Sequence, residues 1–155
     1  MHKVNYSLMY VTDDSITEDT AFFEILEDAL KGRASIIQLR EKSCNTNSFY
    51  NRALKAKALC DAYRVPLIIN DRIDIALAVD ADGVHIGQTD MPYRKARELL
   101  GATKIIGLSV SNSEQAIEAE NLKVDYIGIS PIFNTATKKS DLAPSLGIEG
   151  LKMIR

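Results

Sequence analysis

The sequence lacks an excess of charge of either sign. Its 19 lysine and arginine residues are balanced by 21 acidic residues, and the formal net charge at pH 7 is −2. A chain without a basic excess shows none of the electrostatic signature of a nucleic-acid-binding protein, so we expect no nucleic-acid partner. Any affinity for phosphate must come from a few basic side chains placed close together. With 46% hydrophobic and 26% charged residues, the composition is that of a folded domain with a core.

Long apolar runs and patterned cysteines are also absent. A membrane-spanning helix needs about 18 consecutive apolar residues, and no run in this sequence is that long. Residues 1–7 do not contain the apolar stretch of a signal peptide. The two cysteines, Cys44 and Cys60, form neither a metal-binding nor a disulfide spacing. We therefore expect a cytoplasmic protein with reduced thiols and no membrane association.

Five short runs rich in β-branched residues each end in a cluster of polar residues. The runs cover residues 35–37, 67–69, 84–86, 105–108 and 126–130. The polar residues that follow them are of the kinds that bind phosphate and metal ions. A parallel (βα) barrel, which builds its active site from the carboxyl ends of successive strands, produces this arrangement. The pattern therefore predicts the fold and the position of the site together.

Helix signals separate the strand-like runs. Ser15 and Glu18, and again Ser111 and Glu114, have capping-box spacing, and Thr46 or Asn47 is expected to cap another helix. The helix after the first strand (residues 6–12) should bury Phe22, Leu26, Ala29 and Leu30, and the next should bury Phe49, Ala53, Ala56 and Cys60. Alternating strands and helices predict parallel pairing with right-handed crossovers.

We predict a TIM-type (βα) barrel, formed by residues 1–155 as a single domain, with about six βα units present. A complete eight-unit barrel needs roughly 200 residues or more, so we expect the last two units to be lacking. An open six-stranded sheet is the alternative. Its sixth strand would be an exposed edge, whereas residues 126–129 are apolar on both faces and suit a central strand.

A family resemblance rests on five sequence blocks in register. They are Gln38-Leu39-Arg40-Glu41-Lys42, Asn70-Asp71, His85-Ile86-Gly87-Gln88-Thr89-Asp90, Gly107-Leu108-Ser109-Val110-Ser111 and Phe133-Asn134-Thr135-Ala136-Thr137-Lys138. Together they resemble the signature blocks of the thiamine-phosphate synthase family, also called thiamine-phosphate pyrophosphorylase. The resemblance implies a transferase of thiamine biosynthesis. It would join 4-amino-2-methyl-5-hydroxymethylpyrimidine diphosphate to a thiazole phosphate, releasing pyrophosphate.

Two carboxylates are candidates for binding magnesium. Asp71 and Asp90 follow the third and fourth predicted strands, whose ends should converge in a barrel. Mg²⁺ prefers oxygen ligands and commonly uses one or two carboxylates together with phosphate oxygens, so the residues fit Mg²⁺ better than zinc. The alternative is that each aspartate only caps the helix that follows it. With the family blocks around them, we favour the metal.

Three basic residues, Arg40, Lys42 and Lys138, are the predicted anion clamp. A guanidinium can bind a diphosphate through two parallel hydrogen bonds, and the lysines add compact charges that would stabilise the leaving pyrophosphate. The resemblance implies that the pyrimidine diphosphate is contacted by Gln38, Arg40, Glu41, Lys42, Asn70, His85, Ser109 and Lys138. Strand alternation nevertheless points Glu41 away from its two basic neighbours. His85 is assigned to the pocket and not to acid–base chemistry.

The resemblance assigns the thiazole phosphate to Thr135 and Thr137, in the loop after the sixth strand. Barrel phosphate sites are often completed by loops after strands seven and eight, which would be missing here.

Two other functions stay open. One is the related thiazole tautomerase, which has no need of a diphosphate clamp or a metal ion. The other is a non-catalytic remnant that binds diphosphate or a partner chain. Exposed barrel edges would favour self-association, which leaves a homo-oligomer open. The expected partners of the synthase itself are its small-molecule substrates.

Overall fold

The computed structural model describes residues 4–134 and 144–155. By its internal contacts the chain divides into two compact units. The first comprises Met1–His85 with Thr103–Ile105, and the second comprises Ile86–Ala102 with Ile106–Arg155. In the described residues, no helix has the length and apolar character needed to cross a membrane.

Strands and helices alternate along the chain, as predicted. The strands are β1 (Met9–Val11), β2 (Ile36–Leu39), β3 (Leu67–Asn70), β4 (Gly83–Ile86), β5 (Ile105–Val110) and β6 (Tyr126–Ile129). The helices are α1 (Asp19–Lys31), α2 (Thr46–Tyr63), α3 (Ile73–Ala78), α4 (Tyr93–Leu100), α5 (Ser113–Leu122) and α6 (Gly147–Ile154). These are the six predicted βα units.

Strand pairing is parallel within each unit. In the first unit β1 pairs with β2, β2 with β3 and β3 with β4, and in the second unit β5 pairs with β6. All residues of β2, β3 and β4 are buried, as expected for strands covered on both faces. All four residues of β6 are half-buried, so this strand is less covered than β2, β3 and β4.

The helices bury the faces that their sequence periodicity predicts. In α1, Phe22, Leu26 and Leu30 are buried, whereas Ala29 is only half-buried. In α2 the stripe of Phe49, Ala53, Ala56 and Cys60 is buried. Gly32 and Gly101 occupy the C-cap positions of α1 and α4.

The predicted helix starts are displaced by one to three residues. Glu18 caps α1, since its carboxylate accepts hydrogen bonds from the backbone N–H groups of Thr20 (2.9 Å) and Ala21 (2.7 Å). Asn45 caps α2 and Asn112 caps α5, each through its side-chain oxygen. The caps predicted at Ser15, Thr46 or Asn47, and Ser111 are therefore wrong. Where several polar residues precede a helix, local spacing does not decide which side chain reaches the free N–H groups.

A side-chain oxygen joins the amino ends of three strand pairs in the same way. In each case the residue just before the second strand accepts a hydrogen bond from a backbone N–H group within one residue of the start of the first strand. Ser35 Oγ accepts from Leu8 N at 2.9 Å, Asp82 Oδ2 from Leu67 N at 2.9 Å, and Asp125 Oδ2 from Ile106 N at 2.8 Å. Each bond gives a partner to a backbone donor at the beginning of a strand.

A basic side chain from the helix that precedes the first strand of the pair lies close to two of these carboxylates. Lys57 Nζ of α2 is 3.8 Å from Asp82 Oδ2, and Arg97 Nη2 of α4 is 2.7 Å from Asp125 Oδ2. Arg97 also donates to the carbonyl of Gly101 at 3.0 Å. The aspartates therefore connect helix, strand and strand at the amino-terminal end of each pair, which leaves the carboxyl ends to carry the site.

We predict that Asp125→Ala lowers the free energy of unfolding by about 1–3 kcal/mol, because the N–H group of buried Ile106 loses its acceptor. Urea denaturation followed by circular dichroism measures this loss. Glu98→Ala is the matched control, since Glu98 forms an exposed ion pair with Lys95 three residues earlier in α4, and its removal should change stability by no more than about 0.5 kcal/mol. Equal effects of the two variants would contradict the role given to Asp125.

Candidate functional site

The register of the first unit places predicted site residues side by side. Asn70, the last residue of β3, is paired with His85 of β4, and Gln38 of β2 is paired with Ile68 of β3. Gln38, Asn70 and His85 are all buried. Because the strands are parallel, Arg40, Lys42 and Asp71 follow at the same edge. The first unit therefore gathers most of the predicted pyrimidine-diphosphate contacts at its carboxyl end.

Two ion pairs hold the basic side chains at this edge. Arg40 Nη1 lies 3.0 Å from Asp14 Oδ1, in the segment between β1 and α1. Lys42 Nζ pairs with Asp71 Oδ2. All four side chains remain partly exposed, so a phosphate group from solvent can reach both cations.

Asp71 is held in an unusual backbone conformation. Its φ angle is 61°, in the left-handed region that aspartate and asparagine tolerate better than most residues. Its backbone N–H donates to the carbonyl of His85 at 2.8 Å, which fastens it to the end of β4. The N-cap position of α3 is occupied by Arg72 and not by Asp71. The helix-cap alternative therefore finds no support at this residue.

Asp90 closes the turn that follows β4, in the second unit. Its Oδ2 accepts a hydrogen bond from the backbone N–H of Gly87 at 2.7 Å. Pro92, and not Asp90, occupies the N-cap position of α4. In the same unit Gln88 Nε2 donates to the carbonyl of Ser109 at 2.7 Å, which joins this turn to β5.

The carboxylate oxygens of Asp71 and Asp90 are ligands of the kind that Mg²⁺ prefers. In the described part of the chain, no group of three or more His, Cys, Asp and Glu side chains is arranged to hold a metal ion. A Mg²⁺ ion bound by one or two carboxylates, with waters and phosphate oxygens completing its shell, does not require such a group. The assignment of Asp71 and Asp90 to magnesium stays a prediction.

Glu41 contacts a residue that the sequence analysis missed. Its side chain is only 2% exposed, and its Oε1 lies 2.7 Å from Nη1 of Arg52. Arg52 occupies the helical position three residues after Phe49 and four before Ala56, on the buried stripe of α2. An arginine on an apolar helical stripe is a signal that could have been read from the sequence, because a buried guanidinium needs acidic or carbonyl partners. The substrate contact predicted for Glu41 stays a prediction.

Thr12 is a second missed residue. It is buried, and its Oγ1 accepts a hydrogen bond from the backbone N–H of Arg40 at 3.0 Å. This bond extends the pairing of β1 and β2 into the clamp. Thr135, Thr137 and Lys138 lie outside the described residues, so the predicted thiazole-phosphate contacts and the third basic residue of the clamp have no geometry to report.

Three comparisons identify relatives of the chain. A family model described as Thiamine monophosphate synthase matches residues 8–155. The thiamine-phosphate synthase of Clostridium acetobutylicum is 50% identical over 155 residues, which are 100% of this chain and 72% of that protein. That of Clostridium novyi is 49% identical over 151 residues, covering 97% of this chain and 74% of the relative. A solved structure, a thiamine phosphate pyrophosphorylase from Pyrococcus furiosus, has a TM-score of 0.81 and 37% identity, with 95% of this chain and 68% of that chain covered.

The fold is therefore that of a TIM-type (βα) barrel with six βα units, and the protein is an enzyme of the transferase class that acts in thiamine biosynthesis. The chain belongs to the thiamine-phosphate synthase family. The fold class, the family and the transferase class predicted from the sequence are confirmed.

The two free thiols differ in exposure, and because burial raises the pKa of both, neither has the environment of a nucleophile. Cys44 is exposed, and Cys60 is buried in α2. Burial raises the pKa of Cys60 to about 12, and nearby Asp82 and Asp61 act in the same direction. The thiol of Cys60 therefore stays protonated at neutral pH.

We predict that iodoacetamide at pH 8 modifies Cys44 in the folded protein and leaves Cys60 intact, because the reagent attacks an accessible thiolate. Peptide mass spectrometry after a short exposure distinguishes the two sites. The same reaction in concentrated urea should modify both cysteines, which is the internal control. Modification of Cys60 as fast as Cys44 in the native protein would show that α2 opens away from the sheet.

Proposed function

We propose that this protein condenses 4-amino-2-methyl-5-hydroxymethylpyrimidine diphosphate with thiazole phosphate to give thiamine phosphate and pyrophosphate, in the cytoplasm and with Mg²⁺. The observation that carries the proposal is the placement of Arg40 and Lys42 at the carboxyl end of β2, beside Asn70, Asp71 and His85. A diphosphate is the ligand that such a pair of basic side chains next to a carboxylate suits.

The proposed chemistry exchanges one bond for another. The bond between the methylene carbon and the diphosphate oxygen breaks, and its electron pair leaves with pyrophosphate. The thiazole nitrogen then donates its lone pair to the resulting carbocation and forms the new carbon–nitrogen bond. No proton transfer is needed for either step, which agrees with a pocket role for His85.

Arg40 and Lys42 would stabilise the negative charge that develops on the departing pyrophosphate, and Lys138 is proposed to join them. Positioned charges of this kind lower the barrier because they need no reorganisation during the reaction. Asp71 and Asp90 would hold Mg²⁺, which when bound supplies a double positive charge against the diphosphate oxygens.

Binding the diphosphate would require an exchange of partners at the clamp. The carboxylate of Asp14 is within 3.0 Å of Arg40, and that of Asp71 pairs with Lys42. A diphosphate would take the place of Asp14 on the guanidinium, while Asp71 would turn from Lys42 to the metal ion. The ion pairs thus keep both cations near their proposed working positions.

The remaining proposed contacts orient the two substrates. Gln38, Asn70 and Ser109 would contact the pyrimidine diphosphate, and Thr135 and Thr137 the thiazole phosphate. Gln38 and Asn70 are buried polar side chains at strand ends, the kind of group that fixes a ligand's orientation. Holding both reactants in one site removes much of the entropic cost of their meeting.

We expect the unfolding temperature to rise when the pyrimidine diphosphate and Mg²⁺ are added together, and much less with either alone, because binding to the folded state stabilises it. Differential scanning fluorimetry measures this shift, and a pyrophosphate-release assay with thiazole phosphate then tests turnover. A transition that neither ligand nor metal moves would favour the tautomerase or a non-catalytic protein.

We predict that Asp71→Asn weakens magnesium-dependent diphosphate binding by about tenfold or more, because a carboxylate ligand of Mg²⁺ is lost. Asparagine also tolerates the left-handed conformation, so the fold should be retained. Isothermal titration calorimetry at several Mg²⁺ concentrations provides the measurement.

Asp80→Asn is the matched control for that substitution. Asp80 also has a positive φ, 51°, and also pairs with a lysine, Lys104, but it follows a helix and not a strand end. Its variant should bind the diphosphate like the unchanged protein. A magnesium dependence that is the same in Asp71→Asn and Asp80→Asn would remove Asp71 from the metal site.

A further inference from the structure

The buried guanidinium of Arg52 uses all of its nitrogen atoms as donors. Its Nε and Nη2 donate to Asp19 Oδ1 at 3.1 Å and 2.7 Å, which forms a two-pronged contact with the start of α1. Its Nη1 donates to Glu41 Oε1 at 2.7 Å. The side chain is 11% exposed, and the guanidinium carbon lies 4.4 Å from the ring centroid of Phe22.

Two more bonds from Arg52 reach the segment between β1 and α1. Nη1 donates to the carbonyl of Ile16 at 3.3 Å, and Nη2 donates to the carbonyl of Thr17 at 3.0 Å. This segment carries Asp14, the ion-pair partner of Arg40. Arg52 therefore contacts the chain on both sides of that ion pair, through Glu41 on one side and through the two carbonyls on the other.

The contact between Arg52 and Glu41 bears on the diphosphate clamp because of where Glu41 lies in the sequence. Glu41 lies between Arg40 and Lys42, the two clamp residues described in the first unit. Because Glu41 is the residue between the two cations, a fixed Glu41 carboxylate restrains the short stretch of backbone that carries both of them. Burial works against the charge of Arg52, but its hydrogen bonds with Glu41 and Asp19 outweigh burial and raise its pKa, so the guanidinium stays charged.

We propose that Arg52 is a positioning residue for the diphosphate clamp: it anchors Glu41 and the β1–α1 segment, and so holds Arg40 and Lys42 in the geometry that binds the diphosphate. It acts through its contacts with Glu41 and the β1–α1 segment and touches no reacting atom. This inference rests on the proposed function, because it needs a diphosphate at Arg40 and Lys42.

The test compares Arg52→Lys with the unchanged protein, using inorganic pyrophosphate with Mg²⁺ as the probe. Lysine keeps the charge but cannot reproduce the two-pronged contact with Asp19 and the bond to Glu41 at the same time. We expect pyrophosphate affinity to fall by about tenfold in calorimetry. Amide hydrogen exchange of residues 38–42 should become faster, since a released Glu41 no longer restrains this segment.

Arg97→Lys is the matched control. Arg97 is also a largely enclosed helical arginine, which binds Asp125 and the Gly101 carbonyl and lies 5.6 Å from the ring of Tyr93, but it is bonded at the amino ends of strands. It should lower the unfolding temperature without changing pyrophosphate affinity. A drop in affinity that is the same in both lysine variants would reduce Arg52 to a general stabilising residue and overturn the inference.

Glu41→Gln, alone and together with Arg52→Lys, tests the route of the effect and provides a milder variant. If Arg52 acts through Glu41, the two losses of affinity will not add, because each substitution breaks the same contact. Fully additive losses would show that Arg52 does not act through Glu41. The effect of Glu41 would then come from direct contact with the substrate. If the original protein binds pyrophosphate and Arg52→Lys binds it equally well, the positioning role of Arg52 is refuted, while the proposed function is not affected. If the unchanged protein itself binds no pyrophosphate, the proposed function fails and this inference fails with it.

Discussion

Parallel pairing at the carboxyl ends of β2, β3 and β4 is the constraint on which the first unit's site depends. The pairing of Asn70 with His85 and of Gln38 with Ile68 fixes the positions of the residues that follow each strand. Because all three strands run in one direction, the residues after them emerge at one edge. A shift of register by one residue would turn Gln38 and Asn70 to the opposite face of the sheet. Binding geometry is thus set by backbone hydrogen bonds before any side chain contributes.

Opposite ends of the strands serve opposite purposes. At the amino ends, side-chain oxygens accept hydrogen bonds from backbone N–H groups of the strands; they belong to Ser35, Asp82 and Asp125. At the carboxyl ends, Arg40 and Lys42 pair with carboxylates that are themselves partly exposed, so these pairs can be exchanged for a ligand. Leaving the backbone N–H group of buried Leu67 or Ile106 without its acceptor costs more than separating a partly exposed ion pair, which is why stability resides at the first end and binding at the second.

Sequence alone was enough for the order of the elements, the buried faces of α1 and α2, and the gathering of polar residues after strands. These features follow from periodicity, which a single chain displays directly. Helix caps were misplaced because Ser15, Glu18 and their neighbours compete for the same N–H groups over a few residues. Arg52 was missed for another reason. Its partners at residues 16, 17, 19 and 41 are up to 36 positions away in the sequence, and only the folded backbone brings them together.

Charge balance explains how a protein with a net charge of −2 can hold a cationic site. Each cation at the edge of the first unit has its own acid: Arg40 has Asp14, Lys42 has Asp71, and Arg52 behind them has Glu41 and Asp19. The pairs differ in burial, and the difference decides their role. Desolvated partners such as Glu41 and Arg52 cannot separate without leaving a buried charge alone, so they stay together when a ligand arrives. The more exposed pairs lose little by separating, because water and the incoming phosphate both offer replacements. A rigid inner pair behind two exchangeable outer pairs lets the site change partners while its backbone remains in place.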